Sequence, residues 1–320
     1  MINKLLTQVL NSAPLGRKDG LYISHVAGDE ILELFLAANR LRWAFRSDSV
    51  DLCSIVNAKS GDCPENCSYC AQSSKAKADI EKYPLMDRGF IAKRAEEAKA
   101  FGAKRFCIVT SGKKTSKPEL KRIALMIKDV RRLGLLPCAT LGILDKDELS
   151  LLKDSGLERY HHNLETSERF FPEICSTHTY AEKIKTIRAV KAAGLSLCSG
   201  GIFGLGEEWE DRVDMAIALR ELGADSVPVN FLMPVKGTPL EAAGTMHPFE
   251  ALKIISLYRF ILPDREIRVC GGRAQTLGEF NSFVFMAGAD GLLIGDYLTT
   301  AGRSPEADLR LIEMWGLSAG

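Results

Sequence analysis

The sequence contains no apolar run of the roughly 18 residues that a membrane-spanning helix needs. Its first segment, MINKLLTQVLNSAPLGRKDG, has neither a signal-peptide core nor a cleavage site, so we expect a cytoplasmic protein. The formal net charge is only +1, and no basic block is interleaved with aromatic residues. A membrane span is therefore not predicted, and nucleic acid is not expected as a partner.

Breaks in composition are also absent. No low-complexity segment, short repeat or linker divides the 320 residues, of which 46% are hydrophobic and 26% charged. This composition is typical of a globular protein with one large domain or two small ones.

Short β-type segments alternate with amphipathic helical segments after residue 48. The eight candidate strands are 50–58, 104–110, 135–142, 158–165, 195–204, 226–234, 266–272 and 290–296. Several of the helical segments end in glycine just before the next strand, as αβ junctions do. We predict an α/β fold, a (β/α)8 TIM-type barrel at 49–320, with a doubly wound open sheet as the alternative. An N-terminal helical extension is expected at 1–48, where Asp29 is a candidate helix cap.

The chain has nine cysteines, which is a high and odd number for a cytosolic protein of this size. Because the cytosol keeps thiols reduced, a disulfide framework is not expected. Clustered cysteines in this setting are more often metal ligands or redox groups, whereas a single buried cysteine is usually a small core residue.

Three of the cysteines follow the first candidate strand in the segment GDCPENCSYCAQ, with the spacing C-x3-C-x2-C: Cys63, Cys67 and Cys70. Pro64 and the polar residues predict a loop, on the face of a barrel where active sites lie. A structural zinc site needs four ligands, and no fourth Cys or His is adjacent, since the next cysteine is Cys107. An iron–sulfur cluster held by three thiolates leaves one iron open to a small molecule, and we favour that interpretation.

This loop resembles the signature of the radical S-adenosylmethionine (radical SAM) superfamily, C-x3-C-x-aromatic-C, with Tyr69 in the aromatic position. A second segment, GGIFGLGE, matches the superfamily pattern G-x-I-x-G-x-x-E, whose isoleucine, here Ile202, is expected to contact adenine. The resemblance implies that the three cysteines hold a [4Fe–4S] cluster whose open iron binds S-adenosyl-L-methionine.

Four more cysteines lie near the carboxyl ends of candidate strands, separated by 31, 60 and 72 residues: Cys107, Cys138, Cys198 and Cys270. Because a βα unit takes roughly 30–35 residues, these cysteines fall on barrel strands two, three, five and seven. Inward positions at one depth converge on a small volume. Four unrelated buried thiols are the alternative, against which the shared depth argues.

The contexts of these cysteines resemble the biotin synthase family, namely RFC at Cys107, PCATLG at Cys138 and LCSGG at Cys198. The resemblance continues through YHHNLETS, SVPVNFLMPVKGTPL, MAGAD and LTT, from about residue 50 to the end. It implies that sulfur from an auxiliary iron–sulfur cluster is inserted into dethiobiotin by radical chemistry. It also implies an electron donor such as flavodoxin or ferredoxin, and a homodimer.

The same resemblance assigns further residues. Those expected to contact S-adenosylmethionine are Tyr69, Asn163, Glu165, Lys183 and Ile202. Those expected to contact dethiobiotin are His161, Asn163 and Asn230 at the ureido ring and Thr299 and Thr300 at the carboxylate. Three positions depart from the family pattern: Glu165 replaces Asp, Lys183 replaces Arg, and His161 replaces a frequent Asn. Lysine keeps the charge of arginine but loses its bidentate geometry.

The segment IRVCGGR, residues 267–273, departs from the family at the auxiliary cluster. The family usually binds a [2Fe–2S] centre with three cysteines and one arginine, whose position Arg268 occupies. Cys270 lies two residues later, on the same strand face, where most relatives have a small residue that is not a ligand. Because thiolate binds iron better than guanidinium does, we expect Cys270 to be the fourth ligand and Arg268 a neighbouring cation. Four cysteines also permit a four-iron cluster.

Two other functions remain open from the sequence: a different radical SAM enzyme acting on a small molecule, and a non-catalytic iron–sulfur redox protein. The redox protein would need neither a substrate cleft nor the GGIFGLGE segment. Cys53 and Cys175 receive no role. His162 alternates with His161 on its strand and is expected to face the helices. The other three histidines are expected to be ordinary, because they form no metal-site pattern in the sequence: His25, His178 and His247.

Overall fold

The parallel strands form a closed barrel in the computed structural model, which describes residues 1–300 and 302–320. The strands are β1 (Ser49–Lys59), β2 (Arg105–Thr110), β3 (Leu136–Thr140), β4 (Arg159–His161), β5 (Ser196–Cys198), β6 (Gly201–Phe203), β7 (Ser226–Phe231), β8 (Glu266–Val269), β9 (Gly291–Leu293) and β10 (Ser318–Ala319). β1 pairs with β2 on one side and with β9 on the other, which closes the barrel. β5 and β6 occupy one position, so β1 to β9 fill eight positions. The predicted (β/α)8 barrel is confirmed.

Helices surround the barrel and precede it. They are α1 (Ile2–Leu10), α2 (Arg17–His25), α3 (Glu30–Arg46), α4 (Arg88–Ala100), α5 (Lys117–Arg132), α6 (Lys146–Asp154), α7 (Phe171–Ile174), α8 (Tyr180–Ala192), α9 (Trp209–Glu221), α10 (Pro248–Ile261), α11 (Arg273–Leu277) and α12 (Pro305–Met314). A 3-10 helix spans Gly278–Val284. Within residues 1–300 and 302–320, no helix has both the length and the apolar character to cross a bilayer.

α5 shows how the local sequence sets the helix boundaries. Ser116 Oγ accepts a hydrogen bond from the Glu119 backbone N–H, and the Glu119 carboxylate accepts one from the Ser116 N–H at 3.1 Å. This capping box satisfies amide groups that the first turn leaves free, and Pro118 suits that turn because it has no N–H to lose. The helix buries an apolar stripe at helical spacing against the barrel: Leu120, Ile123, Ile127 and Val130.

The N-terminal helices pack on the same side as α10, and α3 contacts α10 and α1. Arg46, the last residue of α3, pairs with Asp290 just before β9, with 2.6 Å between Nε and Oδ2. Asp29 lies directly before α3, but its side chain makes no capping hydrogen bond and its backbone is already helical, so the predicted cap is wrong. These helices share one continuous core with the barrel, and the domain boundary at 48/49 stays a prediction.

Candidate active site

Five buried charged residues fill the amino-terminal end of the barrel, and we call them the floor network. Asp51 accepts hydrogen bonds from Arg105 Nε at 3.1 Å and from Arg268 Nη2 at 2.6 Å. Glu266 accepts one from Arg159 Nη1 at 3.1 Å and another from Arg268. A buried charge without a partner costs several kcal/mol. Positive and negative side chains from β1, β2, β4 and β8 alternate here, so each buried charge has a partner of opposite sign.

A cluster of thiols lies above the floor network, and we call it the thiol pocket. Cys107, Cys138 and Cys270 pack with Cys53 in one cluster, and Cys107 and Cys138 are direct neighbours across β2 and β3. Cys198 is the last residue of β5 and lies beside them. Burial is the largest cause that raises the pKa of the other three predicted cysteines, and the charge of a nearby Cys198 thiolate raises each of these pKa values further. Cys270 lies one residue beyond the end of β8 rather than inside it. The structure thus brings the four predicted cysteines together, and adds Cys53.

Burial raises the pKa of Cys138 to about 11 and that of Cys270 to about 12. The guanidinium groups of Arg159, Arg105 and Arg268 oppose the shift at Cys138, and Arg268 opposes it at Cys270. The arginines of the floor network therefore offset part of the cost of forming thiolates, although burial has the larger effect on both pKa values.

Unsatisfied donors of the floor network test whether an iron–sulfur cluster fits this pocket. Arg268 Nε and Arg105 Nη1 are buried and have no hydrogen-bond partner among the described residues. Buried donors are normally satisfied, and sulfide or thiolate sulfur would accept from both. Burial lowers the pKa of Arg268, but the carboxylates of Glu266 and Asp51 outweigh it and hold that pKa well above its ordinary value. An anionic cluster held by thiolates fits these cations.

The three-cysteine loop, residues 61–72, follows β1 at the opposite end of the barrel. Its backbone is fixed by hydrogen bonds from Cys63 N to Gln72 O at 3.0 Å and from Ser74 N to Cys63 O at 2.8 Å. A third bond, of 3.1 Å, joins Cys70 N to Cys67 O. The three thiols are half-buried and form no disulfide, so all three are free to bind a metal.

Cys175 and His178 lie against this loop, which the sequence did not suggest. Cys175 Sγ is 3.7 Å from Cys67 Sγ and 3.2 Å from His178 Nδ1, and Glu65 hydrogen-bonds to His178. His178, which was expected to be ordinary, therefore has ligand-like neighbours: Cys175, three residues away, and Glu65, which the fold brings to it from 113 positions away.

A hydrogen-bonded group extends from the end of β4. Asn163 Nδ2 donates to Glu165 at 3.2 Å, and Lys183 Nζ donates to Asn163 O at 3.1 Å. Lys183 is buried, and within the described chain no carboxylate lies within ion-pair distance of its ammonium group. Desolvation raises the pKa of Glu165 while the charge of Lys183 opposes that shift. Tyr69 adjoins the group. Burial is the largest cause that raises the pKa of Tyr69, and the negative charge of nearby Glu165 is the second.

Glycines interrupt the fifth barrel position between β5 and β6. A Cβ on Gly200 would lie 2.0 Å from Pro228 O, so only glycine fits this close approach. Ile202 follows on β6, partly exposed, and is paired in register with Asn230. The Glu207 carboxylate accepts from Gly204 N at 3.0 Å and closes the turn after β6. The GGIFGLGE motif therefore builds a tight turn that presents Ile202.

His161 is held in the barrel by two hydrogen bonds. Its Nδ1 lies 2.8 Å from Thr140 Oγ1, and its Nε2 lies 2.8 Å from Asn163 Oδ1. Burial lowers the pKa of His161 to about 4, so the ring is neutral at physiological pH. A neutral imidazole has one donor and one acceptor, which suits recognition of an uncharged polar group.

The other residues expected at the substrate are divided between two places. Asn230 donates to Gly201 O at 3.1 Å and accepts from Gly271 N at 3.0 Å, which leaves one N–H and one lone pair free. Thr299 and Thr300 lie beyond β9 and line a surface pocket of about 410 Å³. Three carboxylates also line this pocket, those of Asp79, Glu81 and Asp296.

Two family models match the chain. The model of the radical SAM superfamily matches residues 59–219, and that of the biotin and thiamin synthesis associated domain matches residues 228–318. The first match includes the three-cysteine loop and the GGIFGLGE turn, and the second includes Arg268 and Cys270.

Curated relatives match nearly the whole chain. A biotin synthase of Thermodesulfovibrio yellowstonii is 52% identical over 92% of this chain and 93% of its own length. A biotin synthase of Pelobacter propionicus is 47% identical over 98% of this chain and 96% of its own length. Identities of this size over these lengths show the family.

Solved structures of lower identity share the fold. Methylornithine synthase (PylB) superposes with a TM-score of 0.84 at 20% identity, over 99% of this chain and 97% of that one. The FeFe-hydrogenase maturase HydG from Carboxydothermus hydrogenoformans reaches 0.83 at 16% identity, over 99% of this chain and 78% of that one. At such identities the likeness concerns the barrel alone.

Proposed function

Because this chain belongs to the biotin synthase family of the radical SAM superfamily, we propose that it forms biotin by inserting sulfur into dethiobiotin. The observation that carries the proposal is the presence of two sulfur-rich sites at two depths of one barrel. The three-cysteine loop lies at the mouth, and the thiol pocket lies above the floor network. A redox protein with a single site at its surface would need no such arrangement.

The two metal sites divide the chemistry. When bound, a [4Fe–4S] cluster at Cys63, Cys67 and Cys70 supplies the electron that cleaves S-adenosyl-L-methionine, and an auxiliary cluster in the thiol pocket supplies sulfur. Lys183 offers a buried ammonium group to the methionyl carboxylate, and Glu165 and Asn163 offer polar groups to the ribose. Ile202 offers an apolar contact to the adenine. The chain positions the reactants and keeps water away from a reactive radical.

The substrate contacts follow from the free hydrogen-bonding capacity of the pocket. Asn230, with one N–H and one lone pair free, suits the ureido ring of dethiobiotin, and Asn163 has a second N–H to offer it. His161 would contact the ring by exchanging one of its two hydrogen bonds, to Thr140 or to Asn163, for the substrate. Thr299 and Thr300 would bind its carboxylate with hydroxyl and backbone N–H groups. Asp79, Glu81 and Asp296 line the same pocket and would repel that carboxylate unless it lies close to the threonines.

We further propose that Cys107, Cys138, Cys198 and Cys270 are the four ligands of the auxiliary cluster. Arg268 is committed elsewhere, because its Nη2 donates to both Asp51 and Glu266. A guanidinium in two ion pairs keeps its proton and has no free lone pair for iron. Its unsatisfied Nε–H is instead suited to donate to a cluster sulfur.

The proposal extends to partners and location. The substrate is dethiobiotin, the electron donor is a flavodoxin or ferredoxin, and the chain is a homodimer in the cytoplasm. Cytoplasmic location agrees with nine cysteines that are all free.

Reconstituted and reduced enzyme is expected to cleave S-adenosylmethionine to deoxyadenosine faster when dethiobiotin is present, and to form biotin. The deoxyadenosine and biotin are measured together by liquid chromatography and mass spectrometry. If no deoxyadenosine forms, the radical chemistry is wrong. If it forms without responding to dethiobiotin, the substrate is wrong while the superfamily chemistry stands.

His161 is expected to stay neutral well below its ordinary pKa, with protonation only near pH 4. Because the folded value lies below the unfolded one of about 6.5, folding loses stability as the pH falls from 6.5 towards 4, on the order of 2 kcal/mol. The ring resonances of isotope-labelled histidine, assigned by their loss in His161→Asn, should not move between pH 8 and 5.5. A midpoint near 6.5 would contradict burial of the ring.

A further inference from the structure

Cys175 is a buried thiol that the proposed reaction does not use. Its sulfur lies 3.7 Å from that of Cys67. Among the nine described cysteines, these two form the pair whose sulfur atoms are within hydrogen-bonding distance of each other. A disulfide requires about 2 Å between the sulfur atoms. The pair therefore lies within a small side-chain movement of a bond.

The backbone around each thiol is fixed to the other. Ser68 N donates to Ile174 O at 2.9 Å, and Asn66 Oδ1 accepts from Ser176 N at 3.0 Å and from Thr177 N at 3.3 Å. These bonds flank Cys67 on one segment and Cys175 on the other. They hold together the two segments that carry the sulfur atoms, without any contribution from a metal.

The two thiols differ in access to solvent. Cys67 is half-buried at the mouth of the barrel, whereas Cys175 is 5% exposed. A small oxidant therefore reaches the sulfur of Cys67 more easily than the buried sulfur of Cys175. This order of an accessible thiol and a resolving thiol is that of redox-sensitive cysteine pairs.

We propose that Cys67 and Cys175 form a reversible disulfide when the [4Fe–4S] cluster is absent and a peroxide is present. The Cys67 sulfur attacks the peroxide, whose O–O bond breaks, giving a sulfenic acid and one water. The Cys175 sulfur then displaces the hydroxyl group from that sulfenic acid as a second water. Two thiols lose two electrons and two protons in total, and hydrogen peroxide is reduced to two waters.

The disulfide has a consequence for cluster loading, which rests on the proposed function of the loop. It removes one of three iron ligands, so loading must wait for a thiol reductant. It also keeps Cys67 from further oxidation to sulfinic acid, which ordinary thiols do not reverse. Cys175 thus protects the cluster-free enzyme.

Peptide mapping of the full, cluster-free chain tests the disulfide directly. After treatment with equimolar hydrogen peroxide, we expect the Cys67–Cys175 peptide to be the main cross-link, and to persist in a Cys63→Ser/Cys70→Ser variant. Cross-links of Cys67 to Cys63 or Cys70 in its place would overturn the proposal. This result does not depend on whether the chain makes biotin.

Recovery of iron binding tests the protective role. Wild-type chain treated with excess peroxide and then dithiothreitol should regain its four irons at the loop, whereas Cys175→Ser should regain less than about half and carry sulfinic acid at Cys67. Untreated Cys175→Ser should load normally, which separates protection from folding. Equal recovery in both proteins would remove the protective role.

Discussion

Cys270→Ala is expected to remove the auxiliary cluster and to lower biotin formation by at least ~100-fold, while deoxyadenosine still forms. Loss of a residue that binds the metal directly should lower activity by more than the 10- to 100-fold that is usual for residues that only hydrogen-bond to metal ligands. Biotin and deoxyadenosine are measured with Cys270→Ala as the single substitution. Iron content and the Mössbauer spectrum are measured in a background that lacks Cys63, Cys67 and Cys70, so that only auxiliary iron is counted.

Arg268→Lys is the matched control for that experiment. Lysine keeps a cation between Asp51 and Glu266, so the buried carboxylates stay paired. Removing the cation would destabilise a typical protein by about 3–5 kcal/mol. We expect auxiliary iron to be retained in Arg268→Lys and lost in Cys270→Ala. Two irons per chain that are unaffected by Cys270→Ala would return the ligand role to Arg268.

Lys183→Met is expected to raise the KM for S-adenosylmethionine by about 10- to 100-fold. The ammonium group is buried and lacks a carboxylate partner within the described residues, and a charged hydrogen bond contributes about 1.5–3 kcal/mol. Lys183→Arg should restore most of the affinity, since it restores the charge. Equilibrium dialysis with reconstituted enzyme measures the binding, and unchanged affinity in Lys183→Met would place the carboxylate elsewhere.

The barrel and the positions of the strand cysteines could be predicted because both depend on local periodicity. Alternation of β-type and helical segments located all eight barrel positions, and the 31-residue separation of Cys107 and Cys138 placed them on neighbouring strands. One boundary was less exact, since the break at Gly200 divides one predicted strand into β5 and β6. That break depends on a contact with Pro228 of the next strand, which local sequence does not contain.

Contacts between distant loops could not be predicted. Cys175 and His178 reach the three-cysteine loop only because the segments after β1 and β4 meet at the mouth of the barrel. Asp51 and Glu266 were likewise unremarkable acids until the fold placed them on either side of Arg268. Cys53 lies two residues after Asp51 on β1 and so shares its inward face, but this too became evident only from the fold.

The floor network fills the amino-terminal end of the barrel with paired charges. On the proposed assignment of the thiol pocket, iron and sulfide would then reach it from the opposite end, where the three-cysteine loop lies. The deeper site would be filled before the shallower one. Sulfur given up to product would be replaced from the same end at which the product leaves, so repair of the pocket and release of product would compete.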